Sequence, residues 1–379
     1  MNTDYSFWEK DTYFNNIDVA VIGSGIVGLN AAISLKSKYK KLKVVVLDRG
    51  LLSMGASSRN AGFCCFGSTG ELLDDLKSHS ENTVFSLVEK RWKGLLRLRK
   101  NLGDRAIDFH NWGGFEVFDS QEEYHFCKEK LDYLNKHISP IIGIKTVYKD
   151  ASNQIQNFGL KGFRGMVANL AEGQIDPGKM VSALVAKAYK AGVYLINMFD
   201  VQNIEDQDGL VMVHAKDGSS LVSKRVLICM NGFSRPLLPA YAIEPARAQV
   251  LITKPIPGLK LKGTFHFDKG YYYFRNVGNR VLLGGGRNLD FSAESTDQHG
   301  LTDLVQNKLD DILHNQIVSY APPEVEMRWS GIMGLGNEKT PIIKAVSKNV
   351  FCAVRMGGMG VAIGSLVGEE AADMVRESL

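Results

Sequence analysis

The chain has 379 residues, 45% of them apolar and 23% charged, with 45 basic against 41 acidic side chains and a formal net charge of +4. At ~100–200 residues per domain this length favours two domains, and the composition excludes disorder and collagen-like order. The small charge, spread along the chain, argues against a nucleic-acid partner, because such binders gather a basic excess on one face.

Cys64, Cys65, Cys127, Cys229 and Cys352 form no CxxC pair. Reduced thiols are expected, with no disulfide framework and no metal site. The N-terminal MNTDYSFWEKDTYFNN is acidic and lacks a basic start before an apolar run, so it does not read as a secretory signal, and a cytoplasmic location is expected. The longest nearly apolar stretch, Val19–Leu35, is interrupted by Ser24, Asn30, Ser34 and glycines. It falls short of the ~20 residues that cross a bilayer.

Ile17–Ile22 (IDVAVI) is a β-branched run that predicts a buried parallel strand. Gly23-Ser24-Gly25-Ile26-Val27-Gly28 follows, then a helix through Lys38, then a second apolar run, Leu42–Leu47, that ends in Asp48. This is a βαβ unit with a GxGxxG turn. Gly23 permits the tight turn, Gly25 lets a pyrophosphate approach the backbone, and Gly28 lets the helix sit close on the strand. The helix N-terminus offers N–H groups to phosphate, and Asp48 can accept hydrogen bonds from ribose hydroxyls. An adenine dinucleotide is therefore expected here. Lys36, Lys38, Lys40, Lys41 and Lys43 complement the negative end of the helix.

Residues 75–150 read as mostly helical, with one strand at Gly114–Phe118. Within them Lys90–Lys100 continues a helical stripe of Val84, Val88, Trp92 and Leu95. That stripe reads as packed on its own domain, with an anionic membrane surface as the alternative. From Gly192 the text turns to strands, and Asp-Gly turns at 206–209 and 217–220 separate alternating runs. This is a hairpin meander, and it ends at Asn231-Gly232. Further strands follow over 245–330, and Val350–Val354 leads through RMGGMG into a closing helix. The expected architecture is α/β: a discontinuous Rossmann-type nucleotide domain from residues 1–75, 151–235 and 331–379. It carries an inserted α+β substrate domain with an antiparallel sheet, from residues 76–150 and 236–330.

The stretch Arg49–Phe63 (RGLLSMGASSRNAGF) is rich in serine, arginine and glycine where an NAD enzyme runs straight into its next crossover helix. EGQIDP at 172–177, ICMNG, GYYYFR, VLLGGG and MGGMGVAIG then follow in order. With them the chain resembles the D-amino acid oxidase superfamily of FAD-dependent oxidoreductases, which includes glycine oxidase, sarcosine oxidase and D-amino acid dehydrogenases. The ASSRNAGF segment is similar to bacterial members related to gamma-glutamylputrescine oxidase. The resemblance covers nearly the whole chain.

It implies that Gly23, Ser24, Gly25, Ile26 and Gly28 hold the FAD diphosphate, and Asp48 with Arg49 the adenosine end. Ser57, Ser58, Arg59, Asn60, Ala61, Gly62 and Phe63 would continue toward the flavin face, where Cys64 and Cys65 also lie. Val201 and Asn231-Gly232 would sit near the adenine, and Gly357, Gly358, Met359, Gly360 and Val361 beside the isoalloxazine. Gly331 stands where sarcosine oxidases carry a flavin-attaching cysteine, so the resemblance implies dissociable FAD.

The implied reaction is hydride transfer from an amine-bearing carbon to flavin N5, with hydrolysis of the resulting imine. No general base is named, since none of the eight histidines sits in a motif. The family's carboxylate-binding arginine is absent, because Met333 stands in its place after Trp329-Ser330-Gly331. Either Arg275, Arg328 or Arg355 supplies the clamp, or the substrate is an amine without an α-carboxylate. Of Tyr271–Tyr273, the match to glycine oxidase turns Tyr272 into the pocket. Two other readings stay open at this point: a 2-hydroxy acid oxidoreductase, and a flavin-bearing subunit of a hetero-oligomer. A homo-oligomer is equally compatible with the sequence.

Overall fold

The computed structural model describes residues 5–207 and 209–379. Asp208, one residue of the expected 206–209 turn, and Met1–Asp4 of the leader reading lie outside the described residues.

The run IDVAVI forms a strand, Ile17–Ile22, paired in parallel with Val44–Leu47 on one side and Ser220–Ile228 on the other. Alternation sends its residues to two cores. Val19, Val21, Val44 and Val46 are buried under helices, among them Ile26–Lys38 and Gly360–Glu377. Ala20, Ile22, Val45 and Leu47 are buried with Val211, Val213 and Leu221 of the meander. A strand covered on both faces needs a continuous apolar run, which is what the sequence carries. Tyr194–Ile196 and Val350–Val354 extend this sheet on opposite sides, and Ile342–Ala345 closes one edge in antiparallel fashion.

The second sheet also has eight strands. Val325–Leu335, Glu244–Thr253, Arg280–Gly285, Tyr272–Val277 and Thr264–Phe267 pair antiparallel in that order. Gly114–Phe118 joins in parallel, followed by Gly165–Asn169 and Tyr148–Asp150. Its aromatic core is built from Phe115, Phe265, Phe267 and Phe274.

Two expected domain boundaries are corrected. Gly165–Asn169 pairs along its full length with Gly114–Phe118, so residues after 151 still belong to the substrate half. Val325–Leu335 is one unbroken strand across the expected boundary at 331. In the opposite direction, the helix Glu81–Leu102 was expected with the substrate domain but lies on the closing helix. A Cβ on Gly94 would stand 2.3 Å from the Ala362 carbonyl oxygen. Leu87, Leu95 and Leu98 enter the core of the nucleotide half, while Val84, Phe85 and Val88 join Phe118 and Tyr124 beneath the other. The helix thus ties the halves together, and its stripe is covered by protein. That removes the membrane-surface alternative. No helix among the described residues is long and apolar enough to cross a membrane.

Candidate active site

The two halves enclose a cavity of about 500 Å³. One end is walled by Gly23, Gly25 and Ile26 at the N-terminus of the first long helix, with Asp48, Arg49, Val201 and Phe233. The other is walled by Phe63, His266, Tyr271, Tyr273, Arg287, Met333 and Gly357–Val361.

At the first end the backbone does most of the shaping. Gly23 has φ of +107°, a left-handed conformation that favours glycine, and a Cβ there would meet the Cys229 carbonyl oxygen at 2.8 Å. A Cβ on Gly28 would stand 2.0 Å from the Gly23 carbonyl oxygen, so the helix is seated directly on the turn. The Asp48 carboxylate locks the turn to the second strand. It accepts from the Ser24 N–H at 2.9 Å, the Ser24 hydroxyl at 2.5 Å and the Gly50 N–H at 2.9 Å. Oδ2 accepts both Ser24 bonds, while Oδ1, with one, retains acceptor capacity for a ribose hydroxyl. The Ser57 hydroxyl accepts from the Ile26 N–H at 2.8 Å, which brings the serine-rich loop onto the helix end. The Arg49 guanidinium lies 3.8 Å over the Phe233 ring, a flat platform suited to an adenine.

At the other end, Gly357 and Gly358 both have left-handed φ, and Gly360 opens the closing helix toward the cavity. The Asn231 side chain holds this turn by accepting from the Met356 N–H at 3.2 Å. Cys65 lies 3.6 Å from the Met359 sulfur, and burial pushes its thiol well above the usual range. Ser24, Gly28, Ser58, Gly62 and Gly232, all expected as cofactor contacts, support the walls rather than line them. Gly232 shows why: a Cβ there would strike the Met333 carbonyl at 2.3 Å.

The expected substrate residues divide sharply. Met333 lines the cavity. Tyr272 does not, which corrects the expectation: it stacks on Phe267 at 4.8 Å within the aromatic core. Successive strand residues alternate, so Tyr273 faces the cavity instead, and Tyr271, just before the strand, also lines it. None of the three candidate arginines lines the cavity either. Arg328 donates to both Asp310 oxygens, at 2.8 and 2.9 Å. Arg355 is bound to the carbonyls of Thr340 and Ala242 and to Glu338. Arg275 is buried behind Gly62, and burial lowers its guanidinium to about 10.

Sequence reasoning missed His266, Glu71 and Lys339, which also line the cavity. Burial lowers the His266 imidazole to about 4 against the opposing pull of Glu71, so the ring is neutral near pH 7. Its edge contact with Phe63, centroids 4.9 Å apart, fixes its place in the wall. The alternation of Phe265 and Phe267 into the core was the available signal, since it leaves His266 on the opposite face. Burial raises the Glu71 carboxyl, but Arg91 at 3.6 Å and Lys339 at 3.2 Å outweigh it and the net direction is down. Lys339 also reaches Asp75 at 2.7 Å.

Comparison with known proteins now bears on this site. The model of the FAD dependent oxidoreductase family (DAO) matches residues 18–374. A probable oxidoreductase OrdL of Rhizobium meliloti is 24% identical over 371 residues, covering 94% of this chain and 82% of that protein. Glycine oxidase of Geobacillus kaustophilus is 23% identical over 379 residues, covering 94% and 92%. The crystal structure of glycine oxidase from Geobacillus kaustophilus superposes with a TM-score of 0.75 at 20% identity, covering 95% of this chain and 94% of that one. Iminodiacetate oxidase from Chelativorans sp. BNC1 gives 0.77 at 17% identity, covering 95% of each chain. These likenesses show a shared fold.

Proposed function

Because this chain belongs to the FAD dependent oxidoreductase family DAO and uses FAD, we propose that it oxidises a carbon–nitrogen bond of a small amine or amino acid. FAD, when bound, supplies the hydride acceptor for that reaction. The glycine turn, the Ser57 loop and Asp48 fit the nucleotide end of the cofactor. Gly357–Val361 fit the isoalloxazine end, where the N-terminus of the closing helix favours negative charge.

The observation that carries the amine reading is the state of His266, the only histidine among the described residues that lines the cavity. A hydroxy acid must surrender its hydroxyl proton as hydride leaves, which calls for a base in the wall. Burial makes this imidazole a weak base, at about 4. Glu71 is committed to Arg91 and Lys339. An amine that enters neutral needs no such base, because its own lone pair drives formation of the imine. Phe63, Tyr271, Tyr273 and Met333 enclose that step with mostly apolar surface. Cys65 and Cys229 also line the cavity, and burial raises both thiols; this favours FAD held without a covalent bond.

Anaerobic titration of the holoenzyme with matched amines and 2-hydroxy acids tests this reading. Flavin absorbance is expected to bleach with at least one amine. Bleaching by a hydroxy acid while its amine counterpart leaves the flavin oxidised would overturn it. Acid precipitation is expected to release the flavin into the supernatant, and yellow colour retained in the pellet would contradict non-covalent binding.

A further inference from the structure

The cavity is lined by five cations: Arg49, Arg59, Lys269, Arg287 and Lys339. Four are already engaged. Arg49 lies over Phe233 at the nucleotide end. Arg59 donates to the carbonyls of Met54 and Ser330, at 3.0 and 3.1 Å. Lys269 stands 3.7 Å from Asp74, and Lys339 is shared between Glu71 and Asp75. Arg287, like Arg49, has no acidic or carbonyl partner among the described residues, but Arg49 lies at the nucleotide end, which leaves Arg287 as the unpaired cation at the aromatic end. Its guanidinium lies 5.6 Å over the Tyr271 ring and 5.0 Å over the Phe291 ring, two rings set edge to face.

The backbone places it there deliberately. Gly285 and Gly286 both take left-handed φ, and the Gly286 N–H donates to the Tyr271 carbonyl at 3.0 Å. The chain therefore doubles back across the end of the Tyr272–Val277 strand and lays Arg287 over Tyr271. These ring contacts consume none of the guanidinium's N–H donors, so its fork stays available to grip a carboxylate in bidentate fashion. On the edge strand of the same sheet, two strands from Arg280–Gly285 and where the family's clamp would stand, Met333 offers only a thioether.

From this polarity we propose that Arg287 is the anion-binding residue of the substrate site. The substrate is then an amine that carries a carboxylate at the end remote from the oxidised carbon–nitrogen bond. The amine end lies toward Met333 and Gly357–Val361, and the carboxylate end toward Arg287. This assignment of substrate class rests on the amine reading above.

The test compares 5-aminopentanoate with pentylamine, equal in chain length and different only in the acidic end, by anaerobic flavin reduction of the holoenzyme. The wild type is expected to half-saturate at a concentration ~10–100-fold lower with 5-aminopentanoate, the range of a charge-assisted hydrogen-bonded pair. In Arg287→Gln that ratio collapses toward one, and Arg287→Lys restores part of it, since an ammonium keeps the charge without the fork. An unchanged ratio in Arg287→Gln would overturn the proposal. Pentanoate, which has no amine to oxidise, provides a reading that does not need turnover. It is expected to perturb the oxidised flavin spectrum with a dissociation constant ~10-fold or more weaker in Arg287→Gln. If neither amine bleaches the flavin while pentanoate still depends on Arg287, the amine reading fails and the carboxylate site stands. If amines bleach and pentanoate ignores the substitution, the carboxylate site fails alone.

Discussion

The glycine turn after Ile17–Ile22 and the strand Tyr272–Val277 bound the same cavity in opposite ways. At the turn the wall is backbone: Gly23 and Gly25, with Gly28 behind them, matter for the side chains they lack, and their neighbours come within van der Waals contact of the missing Cβ atoms. On the strand the wall is side chain, and which side chain depends on parity: Tyr273 faces in, Tyr272 faces out. Where only backbone lies behind it, such a wall tolerates no added atom. A side-chain wall can be re-specified by changing residues or by a register slip of one position.

The sharpest way to break this comparison is at the turn. Gly28→Ala puts a Cβ 2.0 Å from the Gly23 carbonyl oxygen, with only backbone to give way. The expected cost exceeds ~3 kcal/mol, the upper end of overpacking, and the purified protein should be flavin-free or fail to fold. Gly25→Ala is the control: its Cβ would meet the Ser57 hydroxyl at 3.0 Å, a side chain that can shift. It should fold, yet bind FAD at least ~10-fold more weakly because the diphosphate's approach is blocked. Thermal melts of the apo and FAD-loaded proteins separate the two outcomes. Equal behaviour of both variants would show that the turn is not built as described.

The same contrast explains what was legible in the sequence. Ile17–Ile22, the GxGxxG turn and Asp48 could be read because backbone approach leaves glycines at fixed spacing and a doubly buried strand leaves an apolar run. The cavity's other wall left no such trace. Nothing in YYYFR declares its parity. The alternation of Phe265 and Phe267 about His266 did carry information, but it had to be read from a neighbouring strand. Arg328 and Arg355 were plausible clamps by sequence position alone, and only their partners, Asp310 and the Thr340 carbonyl, take them out of contention. The boundary at 151 erred because Gly165–Asn169 owes its place to pairing with a strand about fifty residues earlier, a long-range contact with no local signal.

The parity of the tyrosines gives the next largest effect. Tyr272→Ala empties a space stacked against Phe267 and should cost ~3–5 kcal/mol, as for other buried aromatics. Flavin reduction per folded molecule should change little. Tyr273→Ala should reverse the pattern, shifting half-saturation by the substrate far more than it shifts the melting temperature. The two single variants, measured by melt and by anaerobic reduction, would exchange behaviours if the strand were slipped by one residue.

A smaller change is expected from Asp48→Ala. It removes the acceptor for two N–H groups and one hydroxyl that hold the turn to the second strand. Bonds to a charged group are worth ~1.5–3 kcal/mol, so FAD affinity, followed by protein fluorescence quenching, should weaken ~10–100-fold. An unchanged affinity would mean that the glycines alone define the nucleotide end.

The most gradual effect is a slope. Glu172 is buried and accepts from the Phe66 N–H at 2.9 Å and the Gly67 N–H at 3.4 Å, and burial pushes its carboxyl up from the ordinary 4.5 to about 8. Between those values the folded protein keeps a proton that the unfolded chain has already released. Stability contributed by this group is therefore complete below pH 4.5 and lost progressively as pH rises through 8. Glu172→Gln keeps an acceptor for both N–H groups but cannot titrate. Its melting temperature should fall less steeply than that of the wild type between pH 5 and 8, so that the two curves converge or cross at the alkaline end. Parallel curves would mean that Glu172 is ionised in the folded protein, and that the Phe66 and Gly67 N–H groups outweigh burial.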